Sequence, residues 1–151
     1  MKSLAHARDV SELLDRLKAL RADSRRRWGR MTAHQAVCHM ADAFRMGTAE
    51  KPVSAAGGLH NRTIIKWIAL YLPLSWPAGI QTRPEVDQLC GGTSPIDFES
   101  DVTTLAAMIA AASAPGYFRR RDHPIFGPLS DWAWLRWGYL HVDHHLRQFG
   151  V

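Results

Sequence analysis

The chain is 151 residues long, a single-domain length, and its 46% apolar and 22% charged content without low-complexity tracts excludes a disordered or fibrous protein. Two cysteines, Cys38 and Cys90, are too few for a disulfide framework and fit a reducing cytosol, each as a small buried residue. The net charge is +5 and the arginines cluster in SRRRWGR (24–30) and FRRRD (118–122), but no helix-turn-helix, zinc-finger or RNA-binding signature accompanies them, so these runs read as solvated loops, with a nucleic-acid surface as the minor alternative.

The opening MKSLAHARDVSELLDRL has no apolar h-region, which reads against a signal peptide and predicts a cytoplasmic protein. Asp9 and Glu12 have capping-box spacing, and Val10, Leu13, Leu14, Leu17 and Leu20 recur at helical intervals, predicting a first helix over 10–20. Thr32 and Gln35 repeat the capping spacing ahead of a second helix over 33–46, before Gly47. Ala55, Ala56, Gly57 and Gly58 form a loop, and residues 61–72 read as a short apolar helix stopped by Pro73. The most apolar stretch, 67–76, contains Pro73 and falls well short of the ~20 residues of a membrane span.

Pro77, Gly79, Pro84, Gly91, Gly92 and Pro95 punctuate a long connection, expected to cover one end of the molecule and shape a pocket. Residues 98–113 form an alanine-rich helix ended by Pro115 and Gly116, and Ser130 caps a last helix, DWAWLRWGYLHVDHHLRQF. No strand alternation, internal repeat or domain boundary stands out. The predicted architecture is all-α: four long helices around one core, in a single domain over 1–151, with an extra short helix and a long connecting loop.

Chemistry concentrates in the histidines, eight in all, three of them within 141–145. On a helix His141 and His145 lie ~40° apart and one turn apart along the axis, a spacing that suits two imidazoles on one metal; His144, ~60° to the other side of His141, makes a competing pair. Trp134, Trp137, Gly138 and Gln148 share the face of His141, whereas Asp143 and Arg147 point away, so this is the inner face. Two buried histidines can equally be hydrogen-bonded core residues. His39 projects from a small-residue face of the second helix with Gln35, Ala36, Asp42, Ala43 and Met46, and Asp42 is placed to orient a ligand. The competing role for His39 is a hydrogen bond to a backbone carbonyl.

His34 lies ~140° away from His39 and Cys38 ~100° away, so neither is assigned to the site. Cys90 has no general base near it in sequence, and Trp132, Trp134 and Trp137 read as core and pocket wall. Three helix-borne histidines leave open coordination positions, as in a catalytic site, and suit zinc, nickel or iron(II). No Ser-His-Asp, Walker or dinucleotide-binding pattern competes.

The segments VCHMADAFR and HVDHHLRQFG resemble the metal-binding elements of the DinB/YfiT-like superfamily of four-helix bundles. More narrowly, RRWGRMTAHQAVCHMADAFR, SWPAGIQTRPEVDQLCGGTSPIDFESD and HPIFGPLSDWAWLRWGYLHVDHHLRQFG are similar to its branch called domain of unknown function 1569. The resemblance implies a metal held by a second-helix histidine and an HxxxHxxQ motif: His39, His141 and His145, with Gln148 trailing. It thereby selects His145 over His144. Gln35, Asp42, Trp137 and Gln148 are the expected second-shell or pocket residues. Better-understood members of the superfamily are metal-dependent transferases and isomerases using mycothiol, bacillithiol or glutathione. This implies thiol transfer to a small-molecule substrate, with hydrolysis second. A homodimer is implied by the superfamily and by the apolar segment 64–74. The alternative is a non-catalytic helical binding or stress-response module with a structural or vestigial metal site.

Overall fold

A computed structural model describes residues 1–56, 58, 61–120 and 122–151, with Asn61 and Arg62 described by backbone alone. Gly57 of the predicted loop and Arg121 of the second arginine run lie outside the described residues. The elements in order are α1 (Ala7–Ala19), α2 (Ala33–Gly47), a π-helical turn (Asn61–Ile65) leading into α3 (Lys66–Tyr71), a 3-10 turn (Pro84–Val86), α4 (Phe98–Ala111), β1 (Asp122–His123), β2 (Gly127–Pro128) and α5 (Asp131–Gln148). The chain is mostly helical. Among the described residues no helix is long and apolar enough to cross a membrane.

Local chemistry accounts for most helix ends. Thr32 Oγ1 accepts from Gln35 N at 3.2 Å while Gln35 Oε1 accepts from Thr32 N at 2.9 Å, the reciprocal capping box that starts α2. Asp97 and Ser130 cap α4 and α5 through Ser100 N and Ala133 N. Leu72 leaves α3 in an extended conformation, as a residue before proline must.

Two expectations are corrected. Asp9 does not cap α1: its Oδ2 accepts from Ser3 N at 2.9 Å, tying down the N-terminal segment, and the helix begins at Ala7 with no side-chain cap. A short antiparallel hairpin is also present, pairing Asp122 with Pro128 and His123 with Gly127. Two residues per strand are too few for alternation to register. The hairpin is held instead by His123 Nδ1, which accepts from Ile125 N and Phe126 N, and by Gly127 at φ 66°.

Each of α1 and α2 packs against both α4 and α5. The four helices enclose a core of Leu13, Leu17, Val37, Met40, Phe44, Leu105, Ile109, Trp134, Val142 and Leu146. Gly47 permits one close approach: a Cβ there would lie 2.5 Å from the Phe118 ring, which stacks on Trp134. The buried Arg136 guanidinium donates to Lys2 O, Leu70 O and Leu72 O at 2.6, 3.2 and 3.5 Å, fastening the N-terminus and the end of α3 to α5. This fixes α3 beside the face of α5 that carries the histidines.

Candidate metal centre

His39 comes from the middle of α2, and His141 and His145 come from successive turns of α5. All three are buried, and their ring centroids form a near-equilateral triangle of 5.0, 4.7 and 4.9 Å. One ligand nitrogen from each lies within 4.8 Å of the others. His39 Nε2 is 3.1 Å from His141 Nε2.

Their partners fix the tautomers. His39 Nδ1 is 2.7 Å from Val86 O; a carbonyl only accepts, so Nδ1 carries the proton and Nε2 keeps its lone pair. Gln148 Nε2 donates to Trp28 O at 2.9 Å, which turns Gln148 Oε1 toward His145. His145 Nδ1 therefore donates to it, at 2.9 Å, and its Nε2 is also left with a lone pair. His141 is held flat against Trp137, 5.0 Å between centroids and 16° between planes. Among the described residues its Nδ1 has no hydrogen-bond partner.

Burial pushes His39 below the ordinary imidazole range, opposed by the Val86 carbonyl and the carboxylates of Asp42 and Asp87. Burial, reinforced by neighbouring imidazoles, puts His141 and His145 well below it. All three rings are therefore neutral at pH 7, the form a metal requires. The donor set fits a divalent ion. Metal–nitrogen bonds of ~2.0–2.1 Å at octahedral to tetrahedral angles ask for nitrogens about 2.9–3.4 Å apart, and the His39–His141 pair is already at 3.1 Å. Without an ion His141 Nε2 carries the proton and donates it to His39; an ion held at Nε2 would instead require that proton on Nδ1.

Residues 2–150 match the family described as protein of unknown function (DUF1569). The chain belongs to that family. No curated protein and no solved structure matches it.

The remaining sequence-selected residues of this DUF1569 chain fall in several places. Trp137 and Gln148 lie at the centre. Gln35 does not: its amide is committed to the α2 cap. Asp42 is fully buried but among the described residues orients no histidine through a hydrogen bond; it accepts from Thr93 N and Oγ1, both at 2.7 Å, and from Gln88 Nε2 at 3.1 Å. Burial works to raise its pKa, yet the Thr93 bonds and Lys51 hold the carboxyl below the usual range. His144 is buried between Trp28 and Trp76, outside the three-nitrogen group.

Near the start of α2, His34 pairs with Asp101 at 2.7 Å. Cys38 turns away from the centre toward Asp101, and burial with that carboxylate pushes its thiol up to about 12. Cys90 is exposed. Of the three tryptophans expected in core and wall, Trp134 is core and Trp137 wall, but Trp132 stacks on Tyr71 at the surface.

The histidines open on a cavity of about 440 Å³ walled by α2, α3, α5, the connection from Leu74 to Val86, and the hairpin. Four groups in and around it escaped the sequence reading. The carbonyls of Val86 and Trp28, which set two tautomers, carry no side-chain signature. His123 lines the cavity, and its Nδ1 is spent on the hairpin turn, so the neutral ring keeps its proton on Nε2. The Pro124 and Gly127 flanking that turn were the available signal. Trp76 lies 6.3 Å from His141, pinned by its indole N–H to Ala69 O.

Proposed function

We propose that this protein is a DinB/YfiT-like four-helix bundle and a divalent-metal-dependent enzyme acting on a small molecule, with His39, His141 and His145 holding the ion. The convergence of three neutral, buried imidazoles, two with Nε2 lone pairs fixed by partners on Nδ1, carries this reading. Zinc, nickel and iron(II) suit three imidazoles, and three protein ligands leave positions open for chemistry. When bound, such an ion supplies Lewis acidity and lowers the pKa of a water or thiol toward neutrality.

The chain's own residues do the rest. Val86 O and Gln148 Oε1 hold the Nδ1 protons of His39 and His145, Trp137 fixes the His141 ring, and Trp76 and the hairpin screen the site from water. Transfer of a low-molecular-weight thiol ranks first, on the resemblance of HVDHHLRQFG to thiol-using transferases, and hydrolysis second. The two cysteines are free, in keeping with a cytoplasmic setting. Ile64 and Trp67, each more than half exposed and outside the cavity lining, support self-association through the segment around α3; a monomer over a wide concentration range would remove that part.

Titrating tag-free apoprotein with zinc, nickel and iron(II) tests the central reading. One equivalent should bind with at least one of the three, and the helical circular dichroism should survive chelation, as expected of an open site on a preformed scaffold. No binding at neutral pH overturns the metal assignment. Loss of helix on chelation transfers the ion to a structural role and favours the non-catalytic module.

A further inference from the structure

The cavity wall has a composition the metal reading does not require. Among its described lining residues Arg83 is the only one of Arg, Lys, Asp or Glu, and it is already engaged by Ser54 and Glu85. The inner wall is apolar: Ala43, Met46, Val53, Val86 and Phe126 are each less than 9% exposed. The outer wall stays apolar where water reaches it, since Ile65, Ile68, Leu74 and Ile80 are 42–55% exposed. Folding alone gives no reason to leave four aliphatic side chains around an opening, and exposed apolar surface of this kind marks a binding groove. The volume of about 440 Å³ lies within the ~300–1,000 Å³ of small-molecule sites.

We infer that the cavity takes an uncharged, apolar chain or ring, so that the substrate is amphiphilic: one donor group at the histidine end and a hydrocarbon body lying between Trp76, Phe126 and the aliphatic rim. A charged body is disfavoured because taking an unpaired charge from water costs far more than any contact here returns, and the one charged group among the described lining residues, Arg83, already faces Glu85 at 3.9 Å. A thiol that carries carboxylates is therefore poorly matched to this wall, and the apolar partner of the reaction occupies it. The inference rests on the proposed metal site only for the identity of the donor group.

Calorimetry with two homologous series tests it. Linear alkyl hydroxamates, from acetyl to octanoyl, are titrated into zinc-loaded protein, and the matching 1-alkanols into chelator-treated protein, where no metal is involved. Each added methylene should tighten binding about fourfold in both series until the cavity is full. A terminal carboxylate on the longest hydroxamate should abolish the gain. Leu74→Asp and Ile80→Asp, at exposed positions that folding tolerates, should weaken the long members while leaving the short ones unchanged.

Chain-length dependence among the alkanols in a protein that binds no zinc leaves this inference standing and removes the metal reading. Zinc binding with affinities flat across both series overturns this inference alone. A carboxylate-tipped chain that binds as tightly as its parent overturns the uncharged class.

Discussion

Replacing Gln148 with leucine should separate metal affinity from the ligands themselves. The side chain is 4% exposed and makes two bonds of 2.9 Å, accepting from His145 Nδ1 and donating to Trp28 O. Leucine occupies similar space and makes neither. The His145 Nδ1–H is then buried without a partner at about 1–3 kcal/mol, and loss of the Trp28 bond adds about 1 kcal/mol. The apoprotein should therefore lose about 2–4 kcal/mol of stability, or roughly 5–15 °C in Tm for a chain of this length.

With no acceptor to hold the proton on Nδ1, His145 also populates the tautomer whose Nε2 is protonated, and zinc affinity should fall about 10–100-fold. Gln148→Glu is the contrast. A carboxylate still accepts from His145 but cannot donate to Trp28, so stability should drop while zinc affinity holds. Gly29→Ala approaches the same amide from outside: at φ 78° a Cβ would sit 2.5 Å from Gln148 Nε2, so affinity should again decline. Competition with a chromophoric chelator reads affinity, and urea unfolding of the apoprotein reads stability. If Gln148→Leu binds zinc like the wild type, or Gln148→Glu loses as much as Gln148→Leu, the tautomer argument is wrong.

His141→Ala or His145→Ala should abolish stoichiometric metal by elemental analysis, while His144→Ala should retain most of it; an emptied site in His144→Ala alone would reverse the ligand assignment. Asp42→Ala removes a buried carboxylate that anchors Thr93 and Gln88 and pairs with Lys51 at 3.0 Å, so urea unfolding should show a loss of about 3–5 kcal/mol, and unchanged stability would refute that anchoring role. Burial, then the charge of Arg120, pushes His123 down to about 3, against ~6.5 in the unfolded chain, so the unfolded state binds more protons between these values. The contribution of this ring to stability is complete above pH ~6.5 and falls by about 1.4 kcal/mol per pH unit on acidification toward pH ~3. His123→Asn, which keeps an acceptor near the Nδ1 position, should flatten the stability profile by that slope between pH ~6 and ~4; an unchanged slope would show that other groups govern the acid limb.

What the sequence made legible divides along the range of the interactions involved. The start of α2, the cap of α5 and the stop at Pro73 are local signals, and all stand where the spacing puts them. The relation between His141 and His145 is equally local, a matter of one helical turn. Asp9 shows the limit of the same reasoning. Its spacing to Glu12 is that of a capping box, but the amide of Ser3 folds back to claim the carboxylate, and the helix starts three residues earlier than the predicted position 10. Gln35 and Asp42 share the helical direction of His39, yet direction does not fix what a side chain meets. Gln35 turns back to its own cap, and Asp42 meets Thr93, fifty-one positions along the chain.

The groups that orient the ligands come from still further away. Val86 is forty-seven positions from His39, and Trp28 is one hundred and twenty from Gln148; in both the contact is a backbone carbonyl that any residue type could supply. The centre is thus built in two layers of different visibility. The ligands ride on α2 and α5, where packing fixes their positions, whereas the atoms that select their tautomers lie in the connections before α2 and before α4. A substitution in those connections can alter how strongly an ion is held without touching a ligand, which is the behaviour expected of Gly29→Ala.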